Sequence, residues 1–244
     1  MNYKLTLCYD GSRYKGWQRQ KNTDNTVQGK VETVLSRIFE EKTEVSGCGR
    51  TDAGVHARAQ VCSFRASSAL SCTEIMAALR KYLPEDIGAV SLEEADERFH
   101  ARLSCKEKTY VYRIRNSKSP NVFERRYTYH FPARLDAEKM RRAAEYLKGT
   151  HDFLPFSSVK NAKKSTVRTV SDIEIIQTDD MITLRFTGDG FLYNMVRIMV
   201  GTLIEAGEGK READSIPEIF TRNDRELAGF TAPAQGLFLW ECKY

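Results

Sequence analysis

Segments with two kinds of hydrophobic period alternate along this chain of 244 residues, and this alternation constrains its fold most strongly. Apolar residues recur at helical spacing over 27–40 and 73–82, whereas a period of two predicts strands over 3–9 and 108–116. This succession of strand and helix patterns occurs twice along the chain, with a boundary near residues 100–106. It predicts an α+β fold of two β-α-β-type halves with a large mixed or antiparallel sheet.

The remaining predicted elements follow the same two periods. Helices are expected from Asp136, a capping residue, to Leu147 and again over 191–206. Strands are expected over 45–48, 59–64, 87–92, 168–177, 181–187 and 237–243. The division predicts one domain over 1–105 and a second over 106–244.

Composition excludes several classes of protein. Hydrophobic residues make up 41% and charged residues 29% of the chain, a mixture typical of globular proteins. No apolar run is long enough to span a membrane, and the first ten residues lack the pattern of a signal peptide. The six cysteines are scattered without metal-ligand spacing, so buried or idle thiols are expected rather than disulfides. We therefore expect a cytoplasmic protein without a metal.

Positive charge is concentrated in one region. Residues 100–169 contain 17 Lys and Arg against 6 Asp and Glu, a local net charge of +11, which leaves −6 for the rest of a chain whose total is +5. A basic region on an otherwise acidic protein suggests a polyanionic partner. A solvated lysine-rich surface explains the same numbers, so both interpretations stay open.

A glycine-rich segment over 47–56 (Gly-Cys-Gly-Arg-Thr-Asp-Ala-Gly-Val-His) is the densest candidate site. Three glycines permit a tight backbone and the close approach of a ligand, and Arg50 and Asp52 project from it. The segment matches neither the dinucleotide-binding fingerprint nor the phosphate-binding P-loop. On spacing alone, an ordinary turn with a surface ion pair remains the alternative.

The segment 191–204 is apolar on nearly every helical face, which predicts burial. Its exceptions, Asn194 and Arg197, lie three residues apart on one face. A buried guanidinium needs a carboxylate, and this segment contains none, so the partner of Arg197 must come from elsewhere. The alternative is that the guanidinium reaches solvent past its apolar stem.

Two further segments combine aromatic and basic side chains. In the strand over 106–115, Tyr110 and Tyr112 share one face while Arg113 and Arg115 share the other, which suits base stacking beside phosphate contacts. Core packing is the alternative, especially for Tyr112. The loop over 9–21 also interleaves basic residues with aromatic ones. The four histidines have no evident Ser or Cys partner for triad chemistry.

Taken together, these segments resemble the tRNA pseudouridine synthases of the TruA type over nearly the whole chain. The matching stretches are Tyr9-Asp-Gly, Gly16-Trp-Gln, Thr26-Val-Gln-Gly29, Gly49-Arg-Thr-Asp-Ala-Gly-Val-His-Ala57, Leu83-Pro-Glu-Asp-Ile87, Phe99-His-Ala-Arg102, Tyr110-Val-Tyr-Arg113, Gly149-Thr-His-Asp-Phe153, Gly190-Phe-Leu-Tyr-Asn-Met-Val-Arg-Ile-Met-Val-Gly201 and Ala232-Pro-Ala-Gln-Gly-Leu237. The family usually has Asn at position 80, where this chain has Arg80, and Asn at Asp189. It often has Ala at Cys48 and Cys105.

The resemblance implies the pseudouridine synthase fold, in which two ferredoxin-like α/β halves form one continuous, mainly antiparallel sheet flanked by helices. It also implies a homodimer that uses neither a cofactor nor a metal. The implied reaction isomerises uridine to pseudouridine in the anticodon stem-loop of tRNA, at positions 38 to 40.

The resemblance also implies roles for individual residues. Asp52 becomes the catalytic carboxylate, which attacks C1′ or removes a proton from C2′; the sequence leaves both routes open. Arg197 keeps Asp52 ionised, and Tyr110 stacks on the flipped base and can take the C5 proton. Arg50 fills the vacated space or holds a phosphate, and Leu237 walls the base pocket. Candidate tRNA contacts within the basic region are Lys160, Lys163 and Lys164.

Two other functions remain to be weighed against this one. A non-catalytic RNA-binding or RNA-chaperone protein would share the basic region, but it would need no catalytic carboxylate. An enzyme with a nucleotide cofactor would need a phosphate-binding loop, which the sequence lacks.

Overall fold

The computed structural model describes residues 1–67, 69–160 and 164–244. These residues form two compact units, one made of Met1–Lys106 with Phe238–Tyr244 and the other of Glu107–Leu237. The C-terminal residues thus return to the first unit. The sequence predicts two domains that meet after residue 105, and this domain division remains a prediction.

The regular elements agree closely with the two hydrophobic periods. The strands are β1 (Asn2–Tyr9), β2 (Ser46–Gly47), β3 (His56–Arg65), β4 (Ile87–Ala95), β5 (Glu107–Arg115), β6 (Tyr129–His130), β7 (Gly149–Asp152), β8 (Val167–Thr178), β9 (Met181–Gly188) and β10 (Leu237–Lys243). The helices are α1 (Val27–Phe39), α2 (Cys72–Tyr82), α3 (Ala137–Glu145), α4 (Met195–Gly207) and α5 (Ile216–Arg222). The sequence analysis did not predict β6, β7 and α5. Strands β6 and β7 have only two and four residues, too few to show a period, whereas α5 has Ile216 and Ile219 at helical spacing and was missed.

In the first unit, β3 is the central strand and is buried along most of its length. Strand β1 runs antiparallel along one edge of β3, from Asn2 opposite Arg65 to Tyr9 opposite Ala57. The other edge of β3 is shared by two short partners, β10 near its start and β2 near its end. The loop over 48–55 therefore leaves β2 and enters β3 beside a fixed, buried strand.

The helices of the first unit begin at well-defined caps. The Thr26 side chain accepts a hydrogen bond from the Gly29 N–H at the start of α1. Ser71 and Glu74 form a reciprocal capping box at the start of α2. Such caps satisfy amide groups that a helix leaves without intrahelical partners. The apolar face of α1, formed by Val27, Val31, Val34 and Leu35, is buried.

In the second unit, the strand order is β5-β9-β8-β7, with every neighbour antiparallel, and β6 adds a short parallel pair to β5. Helix α4 is almost wholly buried, as its uniformly apolar sequence predicts. The chain over 229–232 lies against it so closely that a Cβ on Gly201 would be 1.8 Å from the Phe230 carbonyl oxygen.

The predicted start of this helix, at residue 191, is wrong. Helix α4 begins at Met195 because Asn194 adopts the left-handed conformation, with φ of 60°. A residue in that conformation cannot continue an α-helix, and asparagine tolerates it better than most residues do. A turn over 192–195, closed by a hydrogen bond from the Met195 N–H to the Leu192 carbonyl oxygen, therefore precedes the helix and redirects the side chains before it.

The predicted fold class, α+β with a mixed and mainly antiparallel sheet flanked by helices, is confirmed. Within the described ranges, no helix combines the length and the apolar character needed to cross a membrane.

Candidate active site

The glycine-rich loop over 48–55 places Asp52 at its tip in the first unit. The loop closes through a hydrogen bond from the Val55 N–H to the Asp52 carbonyl oxygen, 3.1 Å long. Gly54 within this turn has φ of 80°, which favours glycine. The Asp52 side chain is half-buried, so it can meet a substrate without being fully solvated.

Thr51, the residue before Asp52, is held from two directions. Its hydroxyl is 2.8 Å from the Tyr9 hydroxyl, and its carbonyl oxygen accepts a 3.0 Å hydrogen bond from the Trp17 N–H. Thr51, Tyr9 and Trp17 are all buried. Burial raises the pKa of Tyr9 well above its usual range, although hydrogen bonds with Thr51 and Gln60 oppose this shift. The phenol is therefore neutral at neutral pH, and its hydroxyl can donate to or accept from the Thr51 hydroxyl.

Two glycines let the segment over 10–17 lie directly on this loop. Gly16 has φ of 98°, and a Cβ there would be 2.8 Å from the Thr51 carbonyl oxygen. A Cβ on Gly11 would be 1.9 Å from the Val55 carbonyl oxygen. Any larger residue would push the two segments apart. The glycines of the Tyr-Asp-Gly and Gly-Trp-Gln motifs thus allow the backbone over 10–17 to lie close to the backbone of the loop.

Arg50 is exposed on the same loop and is tied to helix α1 by a relay of side chains. Its Nε donates to Gln18 Oε1 at 3.0 Å. Gln18 Nε2 then donates to Gln28 Oε1, and Gln28 Nε2 to Glu32 Oε1, each at 2.8 Å. The relay explains the glutamines of the Gly-Trp-Gln and Thr-Val-Gln-Gly motifs, a role that sequence reasoning did not assign.

His56 follows the loop as a structural residue. Its ring is 1% exposed and stacks on Phe238, with ring centroids 4.7 Å apart. The Gly11 N–H donates to its Nδ1 at 3.1 Å, and Asp10 Oδ1 is 3.2 Å from the same nitrogen. These contacts fix the start of β3 at the end of the glycine-rich loop over 48–55.

In the second unit, Tyr110 lies on β5 and is 7% exposed. Its ring meets Phe191 edge to face at a centroid distance of 5.2 Å, which fixes the ring plane. The next tyrosine on this face, Tyr112, belongs to the core and donates to the Pro233 carbonyl oxygen at 2.7 Å. The core alternative considered for Tyr112 is therefore the observed one.

Arg197 is half-buried in the first turn of α4, and two bonds orient its guanidinium. Nε donates to the Ala232 carbonyl oxygen at 2.7 Å, and Nη1 donates to Asn194 Oδ1 at 2.8 Å. Asn194 is itself held by a bond from its Nδ2 to Ser158 Oγ. The sequence singled out Asn194 and Arg197 as a pair, but it gave no sign of Ala232 or Ser158.

The remaining candidates lie at different places in the second unit. Leu237 is buried and follows Gly236, where a Cβ would be 2.7 Å from the Tyr112 ring. Lys160 and Lys164 are exposed, whereas Lys163 lies outside the described residues. Over the ranges that the structure describes, no group of three or more His, Cys, Asp or Glu side chains is arranged to hold a metal ion.

A family model and curated relatives point to one family. The family model described as tRNA pseudouridine synthase matches residues 7–104 and 143–244. The protein named tRNA pseudouridine synthase A 2 from Bacillus cereus is 46% identical over 98% of this chain and 97% of its own length. The protein named tRNA pseudouridine synthase A from Acetivibrio thermocellus is 46% identical over 100% of this chain and 99% of its own length. Among solved structures, a chain of a Cbf5–Nop10–Gar1 complex matches 83% of this chain and 44% of that chain at a TM-score of 0.37 and 13% identity.

The two family matches define the class of protein as a pseudouridine-forming isomerase. More particularly, the chain belongs to the tRNA pseudouridine synthase A family, which it matches over nearly its full length. The family and enzyme class predicted from the sequence are thereby confirmed.

Replacing Tyr9 by Phe should lower the free energy of unfolding by about 1–3 kcal/mol, because it leaves the buried Thr51 hydroxyl without its phenol partner. Tyr146→Phe is the control, since Tyr146 is 41% exposed and should change stability by less than about 0.5 kcal/mol. Urea unfolding of the three proteins measures both effects. Equal stabilities of the two variants would show that the Tyr9–Thr51 contact does not stabilise the loop.

Proposed function

We propose that this protein isomerises uridine to pseudouridine in the anticodon stem-loop of tRNA, at positions 38 to 40, with Asp52 as the catalytic carboxylate. The observation that carries the proposal is the near full-length similarity to proteins named tRNA pseudouridine synthase A. The rigid setting of the only acid in the loop over 48–55 supports the choice of Asp52.

The reaction requires few protein groups beyond one correctly positioned carboxylate. The N1–C1′ bond breaks, the base turns, and C5 bonds to C1′. C5 loses a proton and N1 gains one, so no atom or electron is gained or lost overall. Asp52 either attacks C1′ or removes the C2′ proton to give a glycal intermediate. Either route needs an ionised carboxylate whose position varies little. Holding a reacting group in a fixed position can supply a large part of the reduction in the activation barrier.

The target base must leave the stem before a carboxylate can reach its sugar. Tyr110 is assigned the stacking role because Phe191 already fixes its ring plane, so little side-chain entropy is lost when a base stacks on it. Its phenol is also the candidate acceptor of the C5 proton. Leu237 is assigned to the apolar wall of the base pocket, and the exposed Arg50 to the space that the base leaves or to a flanking phosphate.

Arg197 is proposed as the cation that keeps Asp52 ionised. Its guanidinium is oriented by the Ala232 carbonyl and by Asn194, neither of which carries a negative charge. A planar guanidinium fixed in this way is suited to a carboxylate partner. The pairing rests on the family resemblance together with this local preorganisation.

The same proposal includes a homodimer in the cytoplasm. Residues 100–169, with a net charge of +11, supply the positive charge that a polyanionic substrate requires. Lys160, Lys163 and Lys164 are the proposed phosphate contacts within this region.

The decisive experiment incubates the purified full-length protein with unmodified tRNA and maps pseudouridine by carbodiimide labelling and primer extension. Pseudouridine is expected at uridines 38 to 40, and none is expected in a matched tRNA that carries cytidine at those positions. Modification only at other positions, or none at all, would contradict the proposed substrate site.

Asp52→Asn should abolish turnover while leaving the fold and tRNA binding largely intact, because it removes the charge and keeps the volume. Asp24→Asn, at an exposed position, is the control and should retain wild-type activity. Single-turnover kinetics with saturating enzyme measures the chemical step. Activity of Asp52→Asn within about tenfold of wild type, roughly 1.4 kcal/mol in barrier height, would exclude the catalytic role.

Arg197→Met should destabilise the protein by roughly 1–3 kcal/mol, less than the 3–5 kcal/mol of a fully buried pair, because both side chains are half-buried. If Asp52 is the partner, adding Asp52→Asn should recover part of this loss, since it removes the stranded charge. Thermal unfolding of the four proteins gives the coupling energy. The control cycle combines Asp52→Asn with Arg222→Met, a surface change. Additivity within about 0.5 kcal/mol in the first cycle would reject the pairing.

Replacing Lys160 and Lys164 together by Gln should weaken tRNA binding and reduce the slope of log affinity against log salt by about two, one for each lost phosphate contact. Lys42→Gln with Lys210→Gln, outside the basic region, is the matched control. Filter binding over a salt series measures the slopes. Equal slopes for the two double variants would mean that these lysines are part of a solvated surface only.

A further inference from the structure

Three thiols that are far apart in the sequence meet in the first unit. Cys48 Sγ and Cys242 Sγ are 2.7 Å apart, although 194 residues separate them. The Cys242 thiol also forms a hydrogen bond with Cys105. Cys48 is buried, whereas Cys105 and Cys242 are partly exposed. None of these groups is used by the proposed reaction.

The main chain holds these thiols together. Cys48 directly follows β2, and its N–H donates to the Val61 carbonyl oxygen on β3 at 2.7 Å. Cys242 lies on β10, which pairs with the same edge of β3. Cys105 is brought alongside because the Lys106 N–H donates to the Lys243 carbonyl oxygen at 2.9 Å. Main-chain pairing therefore brings the three cysteines to one place.

We propose that Cys48 and Cys242 are a redox modification site that forms an intramolecular disulfide when the protein meets a peroxide. A disulfide requires a sulfur–sulfur distance of about 2.05 Å, so the two atoms need to approach by only about 0.7 Å from their present 2.7 Å. The pairing of β2 and β10 with β3 already brings both thiols together.

The chemistry balances with hydrogen peroxide as the oxidant. The partly exposed Cys242 attacks the peroxide to give a sulfenic acid and one water molecule. Cys48 then attacks the sulfenic sulfur, the disulfide forms, and a second water leaves. The two thiols together lose two protons and two electrons, and the peroxide gains them as it becomes two water molecules. A dithiol reverses the reaction by exchange.

The local environment sets the rate of this oxidation. Hydrogen bonds with Cys105 and Cys48, together with burial, raise the pKa of the Cys242 thiol. Since the thiolate is the reactive form, oxidation should accelerate as the pH rises above neutrality. At neutral pH the oxidation should therefore be slow.

The disulfide would act on the loop that carries Asp52. Cys48 donates to Gln60 Oε1 at 3.1 Å, and Gln60 Nε2 donates to the Gly49 carbonyl oxygen at 3.0 Å. Oxidation removes the Cys48 S–H donor and draws the start of the loop towards β10. The expected loss of pseudouridine formation is about tenfold, because small displacements of a catalytic group are costly. This consequence rests on the proposed function, whereas disulfide formation does not.

Disulfide formation is tested on the purified full-length protein treated with hydrogen peroxide at several pH values. Remaining thiols are alkylated after denaturation, and peptides are mapped by mass spectrometry. Wild type should lose two of its six thiols and yield a Cys48–Cys242 peptide that a dithiol removes. Cys48→Ala and Cys242→Ala should yield no intramolecular cross-link, whereas Cys72→Ala, the control, should behave as wild type. A cross-link of other cysteines, or none, would overturn the proposal.

Activity of the same samples separates the two proposals. Oxidised wild type should lose about tenfold in rate and recover on reduction, while Cys48→Ala should be insensitive to peroxide. If the Cys48–Cys242 disulfide forms without loss of rate, its control of the loop is refuted. If reduced wild type is itself inactive, the proposed function fails, and the peptide map still decides whether the modification site exists.

Discussion

The hydrogen bonds at Thr51 are the contacts on which the arrangement of the first unit depends. The Tyr9 hydroxyl reaches the Thr51 side chain, and the Trp17 N–H reaches its carbonyl oxygen. Both groups lie within residues 9–17, which can approach the loop only because Gly11 and Gly16 have no Cβ. A short polar loop thereby gains the rigidity of the buried strands beside it, and the role proposed for Asp52 requires such rigidity.

The second unit fixes a cation by a different means. Asn194 adopts the left-handed conformation and ends the preceding turn, so that its side-chain oxygen faces the guanidinium in the first turn of α4. The Ala232 carbonyl oxygen accepts from the same guanidinium. Because α4 is almost wholly buried, the position of Arg197 is set by core packing and not by solvent. Strain at one residue is offset by the packing of a whole helix.

The thiol cluster shows the same dependence of local chemistry on strand pairing. Cys48 and Cys242 would be unrelated surface or core thiols if β2 and β10 did not share one edge of β3. The loop over 48–55 and the thiols thus lie beside the same buried strand, β3. A displacement of the thiols is expected to displace the loop, and the reverse, since closely packed interiors transmit small displacements.

The sequence by itself determined the type and approximate extent of the long elements, because the period of their apolar residues is a local property. The bounds of β10 were predicted to the residue, and those of β1, α1 and α2 to within about one residue. The matching motifs also determined the family. Only the tertiary structure decided that α4 begins at Met195, that Thr51 is held by Tyr9 and Trp17, and that Cys48 meets Cys242. These contacts join residues brought together by strand pairing and turn geometry, and no local period records which distant residue will be the partner.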